Sequence, residues 1–234
     1  MLIEAADLSR RRAALTAGLG LLIMIPFAVF AQFFIFQKLI ISGDAAATVS
    51  NILANKMQFR AGITSFIIVI VLDILVAWSL FYFFRSVNRS FSLLMAWFRL
   101  VYAVIFAVAL GNYMNVLQLL DSSGFLNAFD TGQLQTRVML SLNAFNDCWA
   151  IGYVFFGLHL ALLGYLIIRS GFVSRLLGLF VFISGLSYLI DHLGKIIYPD
   201  FNANLSMLLG WGELLFMLWL LIKGWRLPEA KKDK

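Results

Sequence analysis

Charged residues are scarce in this sequence. Asp, Glu, Lys and Arg together make 13% of the 234 residues, where a soluble domain carries about a quarter. Cysteine is almost absent. Cys148 stands alone, which excludes an internal disulfide and leaves the redox compartment undecided. There are three prolines, and Pro26 is the one inside an apolar stretch. Two histidines, His159 and His192, give no HExxH and no repeated HxxxH, and no serine or cysteine sits in a nucleophile motif. The chemistries recognisable by motif are therefore not announced here.

What the chain has instead is apolar length. Hydrophobic residues make 62% of it, with a mean hydropathy of +0.91, and a helix needs roughly 20 mostly apolar residues to cross a bilayer. Six such stretches are predicted as transmembrane helices: Ala13–Gln37, Ala61–Phe84, Phe91–Leu119, Trp149–Ile168, Phe172–Lys195 and Leu205–Lys223. The fold class expected is all-α, a six-helix membrane bundle filling residues 1–234 as one domain. Met1–Arg12 is charged and precedes an apolar run, the order of a signal peptide. That run extends over some 25 residues rather than the ~7–15 of a cleaved leader, which predicts a retained helix.

The net charge of +6 does not point to nucleic acid, because the basic residues flank apolar stretches instead of lining one face. Arg10, Arg11, Arg12, Arg85, Arg89, Arg169, Arg175, Lys223, Arg226, Lys231, Lys232 and Lys234 fall on one side of the alternating loops. Lys38, Lys56, Arg60, Arg137 and Lys195 fall on the other. Cytoplasmic loops carry the excess, so both termini are expected inside, in the cytoplasmic membrane. The outer loops are the longer ones. Asp44 is placed to cap a short helix running from Ala45 towards Lys56. Leu134, Val138, Leu142, Phe145 and Trp149 recur at helical spacing, which predicts an amphipathic helix leading into the fourth span. That helix would lie on the membrane face or the bundle, or act as a lid. No matching motifs support an inverted three-plus-three repeat.

Ionisable groups inside spans cost about 2.5–3.5 kcal/mol each on insertion scales and normally face a protein interior. At 1.5 Å per residue, Asp73, His159 and Glu213 lie roughly 13–18 Å from the outer ends of their spans, and Arg99 roughly 13 Å from its inner end. Half the hydrocarbon thickness is about 15 Å, so these four belong to one layer. Asp73 and Arg99 are read as a structural pair. Glu213 and His159, without a committed partner, are the candidates for a catalytic or proton-sharing centre. Asn112, Asn115, Asp191 and His192 form a second polar layer nearer the outside, with Asn146, Asp147 and Lys195. This suggests an intramembrane cavity open to the outer side and lined by Asn112, Asn115, Asp191, His192, His159 and Glu213. Asp191 and Lys195, four apart on a helix, could equally form only an ion pair. His159, His192, Asp191 and Glu213 are ligand types that suit zinc, though their spacing matches no metal motif.

Three stretches carry a family likeness: GDAAATVSNILANKMQFRAGI from Gly43, SVNRSFSLLMAWFRLVYAVI from Ser86, and FFGLHLALLGYLIIRSGFVSRLLGLFVFISGLSYLIDHLGKIIYP from Phe155. Together they resemble a bacterial membrane family known as domain of unknown function 4386. The resemblance implies a compact multi-span inner-membrane protein and supplies no activity. The residues leave several roles open: binding of a small or lipid-like ligand, membrane-embedded hydrolysis with or without a metal, proton-coupled transport, or packing within a homo-oligomer or a larger membrane complex. The cofactor is left open, and the lipid bilayer is the one partner the composition requires.

Overall fold

The computed structural model describes residues 9–121, 129–198 and 200–227; Lys231, Lys232 and Lys234 of the basic flanks lie outside them. Among the described residues there are helices and no strands. A bilayer offers the backbone no water, so a spanning segment must satisfy its own hydrogen bonds. Six helices are long and apolar enough to cross a membrane. They are α1 (Arg10–Leu39), α3 (Lys56–Phe84), α4 (Arg89–Asp121), α5 (Thr131–Ser170), α6 (Arg175–Ile197) and the last span, Leu205–Ile222. The short helix α2 (Ala45–Ala54) lies between the first two. Large apolar side chains such as Val71, Trp97, Val104, Val108 and Ile222 are exposed, an arrangement suited to lipid and costly in water.

Two helices depart from regularity. In α1, Pro26 removes a backbone donor, and Phe30–Phe36 widens into a π-helical stretch. The last span is broken. It comprises α7 (Leu205–Leu209) and α8 (Gly212–Ile222), separated at Gly210 and Trp211. The sequence reading took this span as continuous. A Gly-Trp-Gly run, low in helix propensity at both glycines, is where the ladder opens.

The described chain divides into two compact units. One comprises Met24–Val71 and Val104–Ile151. Its core is aromatic: Tyr113 stacks on Phe145 at 3.9 Å between centroids, and Phe106 on Trp149 at 4.7 Å. The stripe Leu134, Val138, Leu142 and Phe145 is buried here while Gln133, Arg137 and Asn143 are exposed. The amphipathic segment leads into the fourth span as expected: it is the first half of α5, whose 40 residues form one helix. Asp44 caps α2 as expected, accepting from the Ala47 amide at 2.8 Å. Lys56 opens α3 and donates to the Leu120 carbonyl and to Asp121, at 2.9 and 2.7 Å; the lysine thereby occupies an orphan carbonyl at the end of α4.

The other unit comprises Met1–Ile23, Leu72–Ala103 and Gly152–Lys234, and it holds the polar centre. Its α5–α6 hairpin is packed backbone to backbone. A Cβ built on Gly157 would stand 2.9 Å from the Gly185 carbonyl oxygen, and one on Gly185 2.7 Å from that of Gly157. Small residues permit this approach, which is how helices associate where lipid is as apolar as leucine.

Candidate functional site

Four helices bring Asp73 (α3), Arg99 (α4), His159 (α5) and Glu213 (α8) together. Arg99 is at the middle. Its Nε and Nη2 both reach Asp73 Oδ1, at 2.9 and 2.8 Å, and its Nη1 bonds Glu213 Oε1. The same Nη1 lies 3.1 Å from His159 Nε2. Asp73, Arg99 and His159 are each at most 1% exposed, while the Glu213 side chain keeps 14%. Burying a guanidinium is tolerable only when it is paired and hydrogen-bonded, and its planar fork of five donors allows it to serve two carboxylates at once.

The histidine is oriented by the same helix. His159 Nδ1 lies 3.0 Å from the Met95 carbonyl oxygen, and Met95 precedes Arg99 by one helical turn. A carbonyl can only accept, so Nδ1 carries a hydrogen. In the neutral ring Nε2 then accepts from Arg99. In a protonated ring Nε2–H would instead turn to Glu213 Oε1, 3.7 Å away. Formal charge does not balance with the ring neutral: two carboxylates face one guanidinium. The Asp73 Oδ2 atom is buried and has no hydrogen-bond partner among the described residues.

Glu213 owes its place to the break in the last span. Ser184 of α6 bridges it: the hydroxyl shares its hydrogen between the Phe180 and Leu209 carbonyls, at 2.9 and 2.5 Å, and accepts from the Gly212 amide at 3.0 Å. Gly212 sits against α6 so closely that a Cβ would meet Val181 Cα at 2.7 Å. Glu213 therefore occupies the first turn of α8, where a carboxylate interacts favourably with the helix dipole.

The remaining sequence candidates have other surroundings. Asp191 is not paired with Lys195. Its two oxygens accept from the Leu205 and Ser206 amides at 3.0 and 2.7 Å, and from the Ser206 hydroxyl at 2.7 Å. The free amides at the start of α7 make the stronger claim on the carboxylate. His192 stacks on Tyr153, with centroids 4.6 Å apart, and its Nδ1 is buried without a partner among the described residues. Asn112 and Asn115 belong to the other unit; Asn112 Nδ2 turns back to the Ala109 carbonyl of its own helix, and Asn115 is exposed. Of the four candidate metal ligands, His159 and Glu213 share the centre, Asp191 is taken by α7, and His192 lies in the aromatic stack. Among the described residues no three His, Cys, Asp or Glu side chains are grouped to hold a metal ion.

The family model described as Domain of unknown function (DUF4386) matches residues 16–224. The chain belongs to this family. The match includes all four residues of the centre. A relative within reach of direct alignment is an uncharacterized protein of the archaeon Archaeoglobus fulgidus, 34% identical over 178 residues, which cover 76% of this chain and 93% of the relative. No solved structure matches the chain.

Proposed function

We propose that this protein is a proton-linked membrane protein, binding or transporting a small or lipid-like solute, with Asp73, Arg99, His159 and Glu213 as its working centre. The observation that carries the reading is the charge imbalance around Arg99. One guanidinium faces two carboxylates inside a membrane-spanning unit, and an uncompensated charge at that depth is expensive. One proton restores neutrality. Three groups can share it: Asp73, whose Oδ2 is unpartnered, Glu213, and the His159 ring beside it. The broken last span supports the same reading, because transporters place solute sites where a discontinuous helix presents a half-helix terminus. In this reading both termini are cytoplasmic, in the cytoplasmic membrane, and the solute enters from the outer side.

Infrared difference spectroscopy on the protein reconstituted in bilayers and stepped through pH tests the shared proton. The expected result is a protonated-carboxyl band that titrates in the wild type and is altered or lost in both Asp73→Asn and Glu213→Gln. A centre in which neither a carboxyl band nor the ring band of His159 titrates, or whose bands are indifferent to both substitutions, is a structural ion network and not a proton site.

A further inference from the structure

We propose a second binding site, for the phosphate group of an anionic amphiphile, where the α3–α4 and α5–α6 turns meet within one unit. It does not depend on the proton centre. A cavity of about 220 Å³ lies there, lined by Asn88, Tyr165, Ile168, Arg169, Gly171 and Arg175 among others. At roughly 30 Å³ per water, that volume admits a phosphate diester.

Several arginines of this end are held by partners, while Arg12, Arg89, Arg169 and Arg175 have no side-chain partner among the described residues, and of these four only Arg169 and Arg175 line the cavity. Arg10 donates to the Ser86 hydroxyl at 2.7 Å and lies over the Phe172 ring, and Arg85 lies over the Tyr82 ring. These side chains already have partners. Arg169 and Arg175, the two in the cavity wall, have no hydrogen bond, ion pair or ring contact among the described residues. Both are exposed, and two guanidiniums lining one cavity offer forked donors that a common phosphate can accept in bidentate fashion. Arg175 also opens α6, and Ser174 before it makes no side-chain cap to the first-turn amides. That leaves the positive end of the helix turned to the same place. Asn88 Oδ1 is used to cap the Phe91 amide at 3.0 Å, so its amide N–H₂ group remains to donate.

The wall of the cavity says what else the ligand carries. Tyr165 and Ile168, one turn apart on α5, give it an apolar flank below the basic rim. A phosphate with an attached acyl chain uses both parts, whereas free phosphate uses the rim alone. The ligand class is thus a phosphate mono- or diester, with an anionic phospholipid headgroup as the fuller fit. Basic pockets between spans bind headgroups on the cytoplasmic side of other membrane proteins.

Basic residues at loop ends also set orientation, so the test must separate the two roles. The full chain in detergent is given equal amounts of phosphatidylglycerol and phosphatidylcholine, and lipid retention is read by native mass spectrometry. The wild type is expected to retain one phosphatidylglycerol at about tenfold or more over phosphatidylcholine. The Arg169→Gln/Arg175→Gln double variant should lose that preference, while Arg11→Gln/Arg12→Gln, with the same loss of charge, should keep it. Arg169→Lys/Arg175→Lys preserves the charge that orients the chain but not the fork, and should weaken retention several-fold; this variant keeps the test open if the Gln pair does not fold. Displacement of the lipid by millimolar inorganic phosphate identifies free phosphate as a ligand of the site, and its failure identifies the headgroup. Equal retention of both lipids by the wild type, or wild-type retention by the Gln or the Lys pair, overturns the proposal.

Discussion

Arg99 and Glu213 stand 114 positions apart in the chain, and the arginine's Nη1 hydrogen-bonds the glutamate's Oε1. This bond turns what would be an isolated Asp73–Arg99 pair into a centre with one cation between two anions. It also changes what each substitution should do.

Neutralising either carboxylate alone leaves Arg99 with one counter-charge. Asp73→Asn and Glu213→Gln should therefore each fold, with modest loss of stability. The double variant leaves a buried guanidinium unpaired, for which breaking a buried pair suggests about 3–5 kcal/mol. A double-mutant cycle on unfolding in detergent should give a coupling of about 1–3 kcal/mol. Strict additivity would show that the two carboxylates do not share the arginine.

Arg99→Gln should be the most damaging single change at the centre. It strands both carboxylates and removes the donor that meets His159 Nε2. Arg99→Lys should not rescue it fully, since one ammonium does not reproduce the fork that joins Asp73 to Glu213. Thermal unfolding of the purified variants in one detergent decides the order; a Lys variant as stable as the wild type would contradict it.

The bridge across the broken span is a separate test. Ser184→Ala leaves the Gly212 amide and the Leu209 carbonyl without their partner, at about 1–3 kcal/mol for an orphaned buried group. Gly212→Ala should be worse, because the added methyl meets backbone at Val181 rather than a movable side chain. Hydrogen exchange should rise across Leu205–Leu215 in both. Protection unchanged in Ser184→Ala would mean the hydroxyl does not hold the break together.

Asp191→Ala should act at a distance from the proton centre. Loss of its three accepted hydrogen bonds frees the start of α7, for about 1–2 kcal/mol as in other N-terminal caps. Exchange should increase in residues 200–209 with the carboxyl infrared band intact. Loss of that band in Asp191→Ala would join the aspartate to the centre after all.

Reporter fusions check the orientation that the proposed function adopts. A cytoplasmic signal after Lys234 and an external one in the loop around Asp121 are expected; the reverse at either position removes the basis for entry from the outer side.

Counting residues from the span ends was enough to group Asp73, Arg99, His159 and Glu213, because helical rise fixes depth and a charge at that depth has few places to go. Depth is not direction, however. Nothing in one sequence gives the angle at which Arg99 leaves α4, and so its simultaneous hold on Asp73 and Glu213 was not legible. Asp191 shows the same limit from another side: its neighbour four residues on is visible in the sequence, while the unsatisfied amides fourteen and fifteen residues on exist only once α7 has formed. The break at Gly210–Trp211 did have a signal, in the glycines at 210 and 212. The stripe from Leu134 to Phe145 was legible both in its period and in its lead into the fourth span.

The position of Glu213 in the last span has a consequence for biogenesis. Asp73 and Arg99 are made early and neutralise each other within the α3–α4 hairpin, so the nascent chain can leave the insertion machinery with no net charge at this depth. His159 follows on α5, held by a carbonyl beside Arg99. The second carboxylate is synthesised last, on a half-helix that α6 receives through Ser184. Until that segment docks, the assembling protein has no surplus charge to neutralise; afterwards it has one. The order of translation therefore delays the energetically difficult group until the rest of its surroundings is in place.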